Sequence, residues 1–532
     1  MTRSSRYFFL LQAAGAALGL LAAASQAQPV LRGAERTPAV HQAHLPSLRG
    51  AMAQTEGIGA EHRVRELRLI PLVDSAGLAT DPVVQSQPGT PRAAVTVGPG
   101  FDGIGVGLGN YSPSYAPPDT TGAVGATQYV QWVNVDIAVF DKTTGTLVTG
   151  FPKAGNALFR PLGGPCASRN DGDPIVQYDK VANRWVLSQF AVPGGSAGYW
   201  QCVAVSTSSD ATGSYSLYAF QYSQFNDYPK MGVWSDGYYV TFNMFTSSFQ
   251  GAKVCTYDRA AMLAGATATQ QCFQLSSSYA SLIPADLDGT TPPPTGAPNY
   301  LVNRLSTSLG FWKFHVDWTS ATNSTLTGPT QIPVAAYNAA CGGGACVPQP
   351  GTSQKLDSLA DRLMFRLAYR NIAGVERMVV NHAVMVNKTR KLNSGNAAVR
   401  WYEIRGMATT PVIAQQSSYS PDTTFRWMGS AAMDRQGNMA LGYSYSSSTL
   451  KPGLAYATRL VSDTPGTLSA EAGIVQGGGS QLSNLSRWGD YTHLSVDPVD
   501  DCTFWYTGQY LKSDGIFNWS TRIASFKISA CP

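Results

Sequence analysis

Apolar and polar positions along this chain fall into a hairpin that recurs seven times. Its second strand reads YVQWVN (129–134), WVLSQF (185–190), YYVTFN (238–243), YLVNRL (300–305), RMVVNHAV (377–384), MALGYS (439–444) and TFWYTGQY (503–510). A turn rich in Gly, Asp, Asn or Pro precedes each one: GAT at 125, DKVANR at 179, SDG at 235, GAP at 296, NIAG at 371, DRQGN at 434 and DPVDD at 497. Before the turns lie first strands at 120–125, 174–179, 230–235, a degenerate stretch near 285–296, 363–370, 427–434 and 490–497. Third strands such as CVAVST (202–207) and VRWYEIR (399–405) follow, and fourth strands such as YSLYAFQY (215–222) complete several units. Several of these segments alternate apolar and polar residues, the period-2 signature of a strand.

The turns are spaced by roughly 54 to 75 residues, near the range of repeat architectures. Seven four-stranded antiparallel units in one chain predict an all-β, seven-bladed β-propeller. The seventh unit ends after TRIASFKI (521–528), with only SACP remaining. Its fourth strand is expected from the N-terminal region, either RELRLIPLV (65–73) or RAAVTVGP (92–99), because the ring would otherwise carry an open edge.

The first 27 residues read as an export signal: Arg3 and Arg6, an apolar stretch, then Ser25-Gln26-Ala27 as a cleavage site. The mature chain is therefore expected to be secreted or periplasmic, with no membrane span after cleavage. Residues 28–90 read as a linker or pro-segment holding the candidate closing strand, and 91–532 as the propeller. Charged residues make up only 13 % of the chain, and its net charge of +5 is spread without a basic run. That pattern excludes a nucleic-acid partner. A monomer is expected.

Eight cysteines in an exported chain predict disulfides. Antiparallel pairing brings Cys502 to Cys531, and Cys255 and Cys272 flank one hairpin. Cys341 and Cys346 enclose a GGGA loop, which leaves Cys166 with Cys202. No zinc spacing is present. Asp171-Gly172-Asp173 and Asp286-Leu287-Asp288-Gly289 offer clustered oxygens for a structural Ca²⁺, although neither completes an EF-hand loop.

In a ring of sheets the first strands line a central channel, and the residues before them form its mouth. These are Asp119, Asp171, Asp173, Asp227, Lys230, Asp286, Asp288, Asp361, Arg362, Arg426, Arg487 and Asp490. So many ionisable groups in equivalent places make the mouth the candidate site. Arg362, Arg426 and Arg487 precede equivalent strands in three successive units, and converging guanidiniums suit a carboxylate or sulfate. Asp173 and Asp490 are the candidate pair for glycoside hydrolysis. A lyase acting on uronic acids would instead need a base such as His382, Tyr491 or Lys230. Lys230, Asp227, Trp427 and Trp488 complete the expected ligand-binding set, the indoles stacking on sugar rings. Neither G-x-S-x-G nor H-E-x-x-H occurs.

The segments DPIVQYDKVANRW, YPKMGVWSDGYYVTFN, VPQPGTSQKLDSLADRLMFRLAYR, FRWMGSAAMDRQGN and SRWGDYTHLSVDPVDDCTFWY resemble a group of exported bacterial sialidase-like, BNR-type propeller proteins. The resemblance spans nearly all of residues 100–530 and implies the propeller fold. Sialidases hold their substrate's carboxylate with an arginine triad, so the resemblance also points to an acidic glycan. The Asp-box S-x-D-x-G-x-x-W is absent, and the resemblance implies no particular reaction. Glycan binding with or without cleavage, and a non-catalytic surface for protein or cell-surface interaction, are the two readings carried forward.

Overall fold

The computed structural model describes residues 29–51, 62–73, 81–89, 94–109, 111–386 and 395–532. The export signal read in residues 1–27 lies outside them. The described chain is all-β apart from short helical turns. It forms seven antiparallel meanders whose own strands run in chain order from the innermost outward, with strands from the N-terminal region added at the outer edges of five. The innermost strands are Thr121–Val124, Ile175–Asp179, Phe225–Val233, Ile283–Leu287, Met364–Ile372, Phe425–Met433 and His493–Val496. Each lies against the next, and the seventh returns to the first. The fourth and fifth approach so closely that Ala285–Leu287 pairs in parallel with Leu367–Tyr369.

All seven predicted second strands form, the longest as Val375–Val386. The degenerate fourth unit differs from expectation. Its first strand is Ile283–Leu287, ahead of the proline-rich TPPPTGAP stretch, which becomes connection because proline cannot donate to a ladder. Several strands are buried on both faces, Tyr238–Phe245 at every position. Neighbouring sheets share continuous apolar cores, as where Trp132 and Trp185 meet between the first and second. Gly232 marks the closest approach near the axis, where a Cβ would collide with the Ala285 carbonyl.

The seventh sheet lacks a fourth strand of its own. Val95–Asp102 supplies it, running antiparallel to Trp519–Ile528. The other candidate, residues 65–73, forms no strand. Much of the stretch expected as a linker is paired as well. Val30–Arg32, Glu35–Pro38 and His41–Leu45 add to the outer edges of the fourth, third and second sheets, and Val84–Gln85 adds to the fifth. These pairings cover edges that would otherwise expose unpaired backbone.

Four disulfides form as the spacing predicts: Cys166–Cys202, Cys255–Cys272, Cys341–Cys346 and Cys502–Cys531. Among the described residues, no helix is long and apolar enough to cross a membrane. Loop-closure entropy grades the bridges. Replacing Cys166 and Cys202, separated by 36 residues, with serine is expected to cost about 3–4 kcal/mol, and replacing the five-residue Cys341–Cys346 pair about 2 kcal/mol. Urea denaturation of the two double variants checks the order.

Candidate functional site

Each innermost strand carries a left-handed residue before or near its start: Asp119, Asp173, Tyr228, Ser281, Leu359, Met428 and Asp490, with φ from 46° to 63°, Tyr228 and Met428 falling at register shifts inside their strands. For a non-glycine residue this conformation costs roughly 1–2 kcal/mol. Its recurrence shows that one sharp turn is imposed at the axis seven times. Three of the seven are aspartates, whose short polar side chains tolerate it best.

These turns gather Asp119, Asp173, Asp227, Lys230, Arg487 and Asp490 at one end of the axis, with Asp361 and Arg362 beside them. Asp119 is fully buried and accepts from Asn134 Nδ2 at 3.2 Å through Oδ2, while its Oδ1 has no hydrogen-bond partner. Burial, then the charges of Asp490 and Asp173, hold its carboxyl well above the usual range. Asp173 is raised in the same direction, chiefly by burial, against the pull of Lys230. Asp227 is pushed up to about 7 by burial and by Asp173.

Lys230 is clasped between the rings of Tyr228 and Tyr491, its Nζ 3.6 Å and 3.9 Å from their centroids. It donates to the Pro229 carbonyl at 2.8 Å, and burial draws its pKa down to about 8. Arg487 bonds Asp490 through Nη2, yet its Nε and Nη1 are buried without an acceptor. Arg362 makes a bidentate pair with Asp361, at 2.6 Å and 2.9 Å, and lies 4.4 Å over the Tyr228 ring.

Other expected site residues are placed elsewhere. Arg426 does not join Arg362 and Arg487. Its fork is taken by Asp422 at 2.9 Å and 3.1 Å and by Glu471 at 2.9 Å and 2.7 Å, on the far side of its strand. His382 stands between sheets with Arg304, Arg400, Tyr337 and Tyr402, its Nε2 2.9 Å from the Tyr402 hydroxyl. Burial and those arginines push it well below the ordinary histidine range, and no mouth carboxylate is near it. Trp427 and Trp488 are buried with ring centroids 5.9 Å apart, so they form the wall beneath the mouth and offer no face to a sugar.

Of the acids considered for calcium, Asp171, Asp286 and Asp288 are bonded by the chain's own cations, and Asp173 joins the mouth cluster. Asp286 and Asp288 lie deeper in the channel, where Arg366 bonds both and Lys180 bonds Asp288. Asp171 accepts from Arg169 and from the Val192 amide. Among the described residues, no group of three or more histidines, cysteines or acids converges as a metal site requires.

Sequence reading missed two contributors. Arg366 enters the channel from within a strand. Arg65 comes from the N-terminal region, its guanidinium 5.0 Å above the Tyr115 ring, where it offsets the charge of Asp119 and Asp173. Its Nε and Nη2 are likewise buried without an acceptor. Beneath the mouth lies a void of about 10 Å³, bordered by Pro174, Lys230, Phe365 and Tyr491, which is room for a single water. Two wider depressions of about 540 Å³ lie away from the axis, one by Gln42 and Leu263 and one by Asn396 and Phe425. Neither contains a Lys, Arg, Asp or Glu side chain, so chemistry and not size selects the axial cluster.

No protein-family model matches the chain, and no curated protein matches its sequence. Among solved structures it is similar to the polysaccharide lyase Uly1, at 10% identity and TM-score 0.36, covering 84% of this chain and 100% of that one. A PL25 ulvan lyase shares 12% identity at TM-score 0.35, covering 78% and 93%. A Trypanosoma rangeli sialidase shares 10% at TM-score 0.33, covering 82% and 60%. These neighbours are glycan-processing enzymes, and the likeness is too distant to carry any residue's role across.

Two outcomes follow from this geometry. Arg426→Ala removes the charge-assisted bonds to Glu471 and Asp422, both partly exposed, and is expected to cost about 2 kcal/mol. Thermal melting checks it. Asp227 binds its proton more tightly folded than unfolded, so stability falls as pH rises from its ordinary value of 3.8 to about 7. Asp227→Asn should flatten part of that fall in denaturation curves recorded across the window, while Asp119 and Asp173 sustain the remainder.

Proposed function

We propose that the protein is an exported, monomeric, seven-bladed β-propeller that binds an acidic saccharide at its axial mouth. Arg487 carries the reading. Two of its donor nitrogens are buried without an acceptor, beside carboxylates whose own pairing does not use them. A buried, unmet charged donor is costly, and a ligand carboxylate or sulfate satisfies a guanidinium fork in two parallel bonds. With Arg426 sequestered, Arg487 and Arg65 are the arginines left with free donors at the axis.

The same cluster can cleave what it binds. Asp119, whose burial favours the protonated carboxyl, is the candidate general acid, and Asp490, held by Arg487, is the candidate base or nucleophile. Asp173, beside both, tunes them. A lyase reading draws on Lys230, whose pKa near 8 makes a usable base for proton abstraction beside a neutralised carboxylate. Asp119→Asn separates the two, since hydrolysis needs that acid. A lyase releases unsaturated product and keeps working without it.

The test is a binding and degradation screen on neutral, uronic and sialylated polysaccharides, using wild type, Asp119→Asn and Arg487→Lys. Lysine keeps a charge against Asp490 but loses the fork. Acid-selective binding should weaken roughly tenfold to a hundredfold in Arg487→Lys, the worth of a charge-assisted hydrogen bond. Its melting temperature should move little. Absence of acid-selective binding by folded protein, wild type and a variant loosened at residues 62–73 alike, overturns the reading and turns the search to protein partners.

A further inference from the structure

Residues 62–73 cross the mouth as an extended strap, and their contacts fall on the groups a ligand would use. His62 stacks on Phe517 with ring centroids 4.4 Å apart. The Arg63 and Arg65 amides donate to Ser114 and Ala116, each at 2.8 Å. Arg65 then stands over the Asp119–Asp173 pair, and Leu67 packs on the cluster of Tyr228, Trp427 and Tyr491. Arg68 lies 4.8 Å over the Phe225 ring, Ile70 fills the niche of Phe190, Phe225 and Phe245, and the Val73 carbonyl accepts from Arg304.

The strap thus touches successive sheets around the axis without joining any of them beyond a two-residue bridge, Arg63–Val64 with Tyr115–Ala116. This contrasts with the flanking N-terminal strands, which are paired along sheet edges. Most of its residues are exposed, polar His62, Arg63, Glu66 and Arg68 beside apolar Leu69 and Leu72, the last two 79 % and 46 % exposed, and Ile70 alone is buried. With the strap seated, the space beneath the mouth is filled, and no saccharide ring reaches Asp119 or Arg487.

We propose that residues 62–73 are an autoinhibitory strap, an intramolecular occupant of the mouth that a ligand must displace. The inference rests on the saccharide reading for the identity of the competing ligand, but the strap's own docking is tested independently of it. A strap seated nine-tenths of the time lowers apparent ligand affinity about tenfold, because only the open fraction binds.

The experiment uses the full chain and an Arg68→Ala/Ile70→Ser variant, which loosens the strap away from Asp119 and Arg487. Arg68→Ala alone serves if the double variant folds poorly. Hydrogen exchange at the Arg63 and Arg65 amides reports release. Tetragalacturonate and a fluorescent peptide of residues 62–73 are the two probes. Expected results are faster exchange in the variant, about tenfold tighter tetragalacturonate binding, and tenfold tighter peptide capture than by wild type. Peptide capture without binding of the saccharide supports the strap and defeats the saccharide reading. Released amides with unchanged affinity for both probes, or saccharide bound to wild type with Arg63 and Arg65 still protected, overturn the strap.

Discussion

Closure of the seventh sheet is the constraint on which the rest of the molecule depends. Its own three strands end at Ile528, and a ring of sheets with one unfinished edge would expose a row of backbone donors and acceptors. Val95–Asp102 satisfies that edge, and Phe101 joins the core that Trp505 and Trp519 share with the first sheet. The region before the closing strand is thereby tethered to the ring. It lies along the outer edges of the fourth, third and second sheets, then crosses the axial face at 62–73, and returns through the fifth. A closing strand taken from the N-terminus and a strap over the mouth are parts of one path.

The same closure fixes the electrostatics. Seven first strands crowded round one axis leave little room, as Gly232 against Ala285 shows, and residues at their entries are driven into a region of low dielectric. Charges there must pair or neutralise. The deeper layer pairs: Arg366 and Lys180 against Asp286 and Asp288, with Asp288 drawn far below the usual carboxylate range despite its burial. The mouth layer does not pair fully. Asp119, Asp173 and Asp227 rise, Lys230 falls, and two arginines keep unmet donors. Two layers built from the same residue types therefore differ: the deeper one is internally paired and locks neighbouring sheets, and the outer one keeps donors and acceptors unmet.

The sheets were legible because each hairpin carries its own turn chemistry, and a turn such as DRQGN needs only local residues to form. The innermost strand of the fourth unit was misplaced because its apolar run is short and the proline-rich connection mimics a broken strand. Alternation was faint where both faces are buried, as along Tyr238–Phe245, since no solvent side selects polar residues. Charges at the mouth could be assigned from their position before each strand. Their partners could not. Glu471 lies 45 residues beyond Arg426 and Asp422 four before it, and only the packed structure shows both closing on its guanidinium. His382 looked available because its strand ends near the ring, yet its side chain is turned into a closed space among Arg304, Arg400 and two tyrosines.

Arg65 shows why the mouth cannot be understood from the repeats alone. It belongs to no repeat, and nothing in HRVRELRLIPLV marks its second arginine from its first or third. The chain's topology delivers it over Asp119 and Asp173, where a guanidinium offsets carboxyl charge that neighbouring strands cannot relieve. Removing the strap would leave Asp119, Asp173 and Asp490 facing one another with Lys230 and Arg487 as the nearest cations. The proton affinities of Asp119 and Asp173, which Arg65 now holds down, would then rise further, because like charges in one low-dielectric space cannot all ionise. An opening event at this face is therefore coupled to proton uptake, and the coupling follows from the charges the strap itself brings.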